Sequence, residues 1–229
     1  MKMKALKRVF IHVTVVACLA WSAVAGASEA GSGVSADEAL AKLMAGNKEF
    51  IAGNTDGLDH KSSPSVRKDL AVNGQKPYAI IVDCSDSRAV PEIIFDKGLG
   101  EVFVIRVAGN VVAPHELGSI EYALEHLGAK LVMVLGHSKC GAVTATYNYT
   151  EGSIESPNLM SLVDSIMPAV TAAKAHGGDL EEAITENAKL VAEELEKKSA
   201  IIKEFVESKG AKIVPAKYDL YTGAVSILH

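Results

Sequence analysis

The chain has 229 residues, is 48 % apolar and 5 % aromatic, and carries a formal net charge of −5. That length suits one compact α/β domain with a sizeable core. The acidic balance, with no block of clustered Lys and Arg, argues against a nucleic-acid surface.

The first 27 residues read as a secretory signal peptide. "MKMKALKR" is a basic opening and "VFIHVTVVACLAWSAVA" an apolar centre. Ala23-Val24-Ala25 and Ala25-Gly26-Ala27 both satisfy a small-x-small cleavage rule. Residues 28–229 then form a single domain, expected in the periplasm and without stable membrane insertion once cleaved. Two alternatives compete. One is an uncleaved membrane anchor. The other is lipid attachment at Cys18, because "VVAC" resembles a lipobox. Cleavage after Ala27 removes Cys18 and leaves Cys84 and Cys140. Two cysteines in an oxidising compartment ordinarily make one disulfide.

Residues 28–34 are a polar lead rich in Gly and Ser. Ser35 and Glu38 form a capping box before "ALAKLMAGNKEF", a first amphipathic helix. "PSVRKDLAVNG" reads as a second, closed by Gly74. The pattern then changes. "YAIIVD" (Tyr78 to Asp83), "EVFVIRV" (Glu101 to Val107) and "KLVMVLG" (Lys130 to Gly136) are short apolar runs rich in Val and Ile. Helical stretches, "PEIIFDKG" and "ELGSIEYALEHLG", separate them. This alternation predicts a mainly parallel sheet covered on both faces. A further helix falls within residues 157–176. Another opens on the capping pair Asp179/Glu182 and runs to about Ser208. "KIVPAKYDLYTGAVSIL" closes the chain as two strands around a turn, an antiparallel edge.

Cys84 follows the first strand directly, and His137 and Cys140 follow the third. Ligands of open parallel sheets collect at the carboxyl ends of strands. Two strand ends therefore bring Cys84, Asp86, Arg88, His137 and Cys140 together. Cys, His and Cys are three zinc ligands, and three protein ligands with an open fourth position is the catalytic arrangement. On spacing alone, a shared metal, a disulfide and a plain buried cysteine pair all stay open. "GHSKCG" has the outline of the serine-hydrolase elbow G-x-S-x-G, but Cys140 stands where the second Gly belongs. "CSDSR" is too short to wrap a phosphate as a Cys-based phosphatase loop does.

"CSDSR", "RVAGN" (Arg106 to Asn110), "GSIEYA" (Gly118 to Ala123) and "GHSKCGAV" (Gly136 to Val143), in this order and spacing, resemble a β-class carbonic anhydrase. The resemblance runs from the first helix to the terminal "YDLYTGAV". It implies an αβα fold and an obligate homodimer, sometimes assembled into a tetramer. It implies one Zn²⁺ per chain, held by Cys84, His137 and Cys140. The implied reaction is reversible hydration of CO₂ to bicarbonate and a proton, by attack of a zinc-bound hydroxide. Asp86 and Arg88 match the family's dyad. Arg88 offers a planar fork for the Asp86 carboxylate. Held there, Asp86 leaves zinc open and orients the attack; released, it closes the site. Gln75, in "GQKP", matches a glutamine that hydrogen-bonds substrate or bicarbonate. Phe103 and Tyr122 match pocket-shaping residues expected from the neighbouring subunit. Ile81 stands where members with an inhibitory bicarbonate site carry Trp, which leaves that form of regulation without support here.

His115, in the loop after the second strand, is a candidate proton shuttle or a plain surface histidine. Two other functions compete with the enzyme. One is a non-catalytic binding protein on the same fold, stabilised by zinc or a disulfide. The other is a secreted serine hydrolase using Ser138.

Overall fold

The structure, a computed structural model, describes residues 31–56, 61–154 and 156–229. The signal-peptide reading, and Cys18 with it, lies outside these residues.

Helix α1 (Ala36–Ala52) starts where the Ser35 hydroxyl accepts the Glu38 N–H at 3.3 Å, and stops at Gly53 in the left-handed region. Helix α2 (Pro64–Asn73) is capped by Ser63 and closed by Gly74. Five strands follow: β1 (Ala79–Asp83), β2 (Val102–Arg106), β3 (Leu131–His137), β4 (Lys212–Tyr218) and β5 (Val225–Ile227). They form one sheet in the order β2-β1-β3-β4-β5. β5 pairs antiparallel to β4, and the other pairs are parallel. The connections carry α3 (Pro91–Ile94), α4 (Pro114–Glu125), α5 (Gly141–Tyr147), α6 (Pro157–Ala175), α7 (Leu180–Lys198) and α8 (Ala200–Ser208).

Successive strand side chains face opposite ways, so each continuous apolar run feeds two cores. From β1, Ile80 and Val82 pack with Ile120 and Leu124 of α4, Leu195 of α7 and Phe205 of α8. Ala79 and Ile81 turn the other way, onto Leu43 of α1 and Ile94 of α3. Helices on both faces give the expected αβα layering. β1 and β3 are buried along their whole length, whereas every residue of β2 is half-buried, because β2 is an edge. No helix among the described residues is long and apolar enough to cross a membrane.

Two expected elements differ. The helix expected from Asp179 to Ser208 is two helices. Ser199 between them is extended (φ −135°, ψ 117°); its hydroxyl accepts the Ile202 N–H at 3.1 Å and donates to Glu121 Oε1 at 2.6 Å. A serine followed by an apolar run is an N-cap, and here it interrupts a pattern that otherwise reads as continuous. "PEIIFDKG" gives only the short helix α3. Asp96 then takes a left-handed φ of 49°, which ends the turn.

Asn47 ties the two ends of the domain together. Its amide nitrogen donates to Ile94 O (3.1 Å) and Gly223 O (2.9 Å), and its oxygen accepts the Val225 N–H (2.9 Å). Only 2 % of Asn47 is exposed, so truncation leaves buried partners unsatisfied. Asn47→Ala is expected to lower unfolding free energy by about 2–4 kcal/mol, read from urea denaturation. A loss below about 1 kcal/mol would show that water replaces these bonds.

Candidate metal centre

The carboxyl ends of β1 and β3 lie side by side, Asp83 in register with Leu135. Cys84 steps off β1, and His137 is the final residue of β3 rather than the first beyond it. The ligand atoms of Cys84, His137 and Cys140 lie within 4.8 Å of one another, and all three residues are buried. Both cysteines are free, with their sulfurs 4.0 Å apart. Two thiolates on one tetrahedral zinc at ~2.3 Å stand ~3.8 Å apart, so the spacing fits a shared ion. His137 Nδ1 donates to Ser138 O at 3.0 Å, leaving Nε2 free to ligate. Nε2 is buried without a hydrogen-bond partner, an arrangement costly to a chain that offers it nothing else. These residues fit zinc.

The thiols are prepared for a cation. The Cys140 thiol, then His137 and the Gly109 N–H (3.2 Å), draw Cys84 down to about 4 against its burial. The same contact with Cys84, together with burial, pushes Cys140 up. The pair therefore yields its first proton readily and its second reluctantly until a cation replaces it. Gly109 can approach because it takes a φ of 70° and has no side chain; a Cβ there would stand 2.6 Å from Ile166 Cδ1.

Asp86 sits beside the triangle, its Oδ2 3.9 Å from His137 Nε2. Arg88 holds it in a fork, Nε to Oδ1 at 2.9 Å and Nη2 to Oδ2 at 2.7 Å, and the Arg88 backbone N–H adds a third bond at 2.9 Å. The guanidinium bonds hold the Asp86 carboxyl far below the usual range. The carboxylate is thus fixed beside the triangle by a partner two residues along the chain.

The comparisons with known proteins agree with this geometry. A family model described as carbonic anhydrase matches residues 79–225. The chain is 34 % identical over 187 residues to a carbonic anhydrase of Mycolicibacterium smegmatis, covering 81 % of this chain and 89 % of that protein. It superposes on the β-carbonic anhydrase CafA of Aspergillus fumigatus with a TM-score of 0.62, at 28 % identity, over 82 % of this chain and 90 % of that one. The chain belongs to the β-class carbonic anhydrases. Its fold is also that of a tetrameric β-carbonic anhydrase from Sordaria macrospora (TM-score 0.64, 23 % identity, 82 % and 96 % covered).

The remaining expected carbonic anhydrase residues lie on other segments of the chain. Gln75 is exposed ahead of the amino end of β1, whereas the triangle lies at the carboxyl ends. Phe103 is half-buried on the edge strand β2 and packs toward the α4 side. Tyr122 is 46 % exposed on α4, its ring 5.2 Å from that of His126. His115 is exposed on the first turn of α4. Ile81 is fully buried in β1. The Ser138 hydroxyl accepts the Leu220 N–H at 2.9 Å, and His137 bonds the Ser138 carbonyl instead of the hydroxyl. That serine anchors a turn, and the hydrolase reading lacks its nucleophile–base pair.

Sequence reasoning missed the supports of this carbonic anhydrase site. Arg106 clamps the loop that bears Cys84 and Asp86, with Nε on Cys84 O (2.9 Å) and Nη2 on Asp86 O (2.6 Å). Asn187 of α7 donates to Gly109 O at 2.8 Å, fixing the peptide whose N–H meets Cys84. Asp83 was also missed. It is wholly buried, both its oxygens lack partners, and burial pushes its carboxyl up to about 8. The "RVAGN" stretch was a signal for Arg106 and Gly109; nothing local marks Asn187 or Asp83.

Proposed function

We propose that the protein catalyses zinc-dependent, reversible hydration of CO₂ to bicarbonate and a proton. The observation that carries this is the buried Cys84–His137–Cys140 triangle, with Asp86 beside it and hydrogen-bonded to Arg88. A binding protein needs the triangle alone; it has no use for a carboxylate restrained next to it. Bound there, zinc would acidify a water for attack on CO₂, less strongly than at a three-histidine site because two thiolates cancel its charge.

The chain's own residues do the rest. Asp86 is placed to accept a hydrogen bond from the attacking oxygen and so aim its lone pair at CO₂. Arg88 fixes the carboxylate in that position, and its release would let Asp86 swing onto the metal position and close it. Gln75, Phe103 and Tyr122 complete the pocket from a neighbouring subunit in a homodimer, or in a tetramer built from dimers. The half-buried apolar residues Val102, Phe103, Val104 and Ile105 on edge strand β2 support a partner, since such an edge is ordinarily covered. Export to the periplasm through cleavage of residues 1–27 belongs to the same reading, and amino-terminal sequencing of the periplasmic protein tests it.

The pH dependence follows from Asp86. Its folded-state value is depressed, so the Asp86–Arg88 pair persists throughout the neutral range and is lost only as pH falls through that depressed value. Asp86 therefore cannot set an activity limb near neutrality. Hydration is expected to rise through about pH 8, set by the ligand charge at the metal. A rate that stays flat down to about pH 6.5 would count against this charge argument. Stopped-flow CO₂ hydration with matched zinc analysis decides the proposal as a whole. One zinc per chain with hydration supports the enzyme, whereas one zinc without hydration leaves the binding protein.

A further inference from the structure

Two residues, Ser138 and Lys139, separate the ligands His137 and Cys140. Lys139 takes a φ of 56°, in the left-handed region that an L side chain disfavours. A turn of this kind persists only where its surroundings hold it. Ser138 is pinned from β4, its N–H on Tyr218 O at 2.9 Å. The Lys139 N–H donates to Glu181 Oε1 at 3.0 Å, across 42 residues of chain.

Glu181 is itself fixed. Its second oxygen lies 2.6 Å from the Lys217 ammonium, and that ammonium also reaches the Glu181 carbonyl at 3.1 Å. Lys217 stands on β4 in register with Gly136, next to the ligand His137. Glu181 belongs to the first turn of α7, where Asp179 already accepts the Glu182 N–H at 3.0 Å. The helix start is capped without Glu181, whose carboxylate is spent on a neighbouring turn.

We infer that Glu181 is a positioning residue for the metal site: it holds Lys139 left-handed and thereby sets the spacing of His137 and Cys140. This rests on the metal reading above. The consequence lies in ligand geometry more than in folding, because an exposed polar contact of this sort contributes little to stability. Without the Glu181 acceptor the turn relaxes, the two ligands drift apart, and the ion leaves faster. Glycine pays no penalty in the left-handed region. Lys139→Gly therefore removes the need for Glu181, and the two sites are coupled in a way that a merely stabilising residue would not be.

The test is zinc release from the loaded full chain into excess chromophoric chelator, for wild type, E181A, E181Q, K139G and the K139G/E181A double variant. E181A is expected to release zinc about fivefold faster, the equivalent of one lost hydrogen bond, while E181Q, which keeps an acceptor, stays within about twofold of wild type. In the K139G background, adding E181A is expected to change release by less than about twofold. Release from E181A at the wild-type rate would overturn the inference, as would equal acceleration in both backgrounds. Zinc content before chelator separates this from the metal reading. A wild-type chain that takes up no zinc overturns both; stoichiometric zinc with release indifferent to Glu181 overturns only the positioning role.

Discussion

Arg88→Ala is expected to keep one zinc per chain and to lose roughly a hundredfold in CO₂ hydration. Arg88 is not one of the three residues that would hold the ion, so metal binding has no reason to fail. The loss comes through Asp86. Its carboxylate is held by three hydrogen bonds from Arg88, two of them from the guanidinium. It stands close to the metal position, 3.9 Å from the ligating nitrogen of His137. Freed of the guanidinium, an anionic oxygen this near a divalent cation binds it and takes the place of substrate water. Arg88→Lys should fall between, because a lysine supplies the charge without the two-pronged geometry. Paired metal analysis and stopped-flow rates check the result. Full zinc at a near-normal rate would remove Arg88 from the mechanism.

Stripping the metal and adding a small disulfide as oxidant is expected to abolish zinc uptake and activity together. The sulfurs of Cys84 and Cys140 are 4.0 Å apart and must close to about 2.05 Å to bond, a movement within the reach of side-chain rotation and a small loop shift. The Cys84 thiolate, favoured by its neighbours, attacks the oxidant and expels one thiolate. The Cys140 sulfur then displaces the second as the internal disulfide forms. Two thiols of the protein lose two protons and two electrons, and the reagent is reduced to two thiols. Zinc alone should not restore such a chain, whereas reductant followed by zinc should. A zinc-loaded sample given the same oxidant should keep its activity, because both sulfurs are occupied. Thiol counting on chains lacking residues 1–27 is decisive: two free thiols after chelation and oxidation would contradict the pairing.

The fold was legible where chain chemistry is local. The runs that became β1 and β3 are buried at every position, and apolar up to Asp83 and His137 at their carboxyl ends, because both faces of an inner parallel strand are covered. The same composition in β2 overstated its burial, since nothing within one sequence says which strand lies at an edge. Ser35, Asp179 and Gly74 announced helix ends correctly; Ser199 announced one too, and was overridden by the periodicity on either side of it. The candidate ligands were legible because strand ends and residue types coincide: a cysteine directly after one apolar run, a histidine and a cysteine at the end of another. Asp86 and Arg88 could be paired from spacing, their roles only from resemblance. Gln75, Phe103 and Tyr122 came from resemblance entirely. Of the supports only Arg106 had a signal, the "RVAGN" stretch; Asn187 and Glu181 were not legible, because they act on backbone atoms far away in sequence. A hydrogen bond to a carbonyl or an N–H leaves no trace in the identity of the residue that owns it.

The bond between Asn47 and Val225 spans 178 residues, and it has a consequence for how the molecule comes into being. Contacts between distant segments are late to form, since the intervening chain must be ordered before they can reward its closure. Helix α1 leaves the ribosome early, yet the buried amide of Asn47 completes its set of partners, Gly223 and Val225 among them, only after β5 has emerged. β4, which pins the turn bearing His137 and Cys140, is equally late. A nascent chain therefore carries Cys84 and Cys140 together from Cys140 onward, before β4 is there to pin the turn between them. The native contacts wait for β4 and β5, and the turn between His137 and Cys140 is pinned only once β4 is in place. Whatever compartment receives the chain, the redox conditions and free zinc it meets in that interval decide how much of it becomes enzyme.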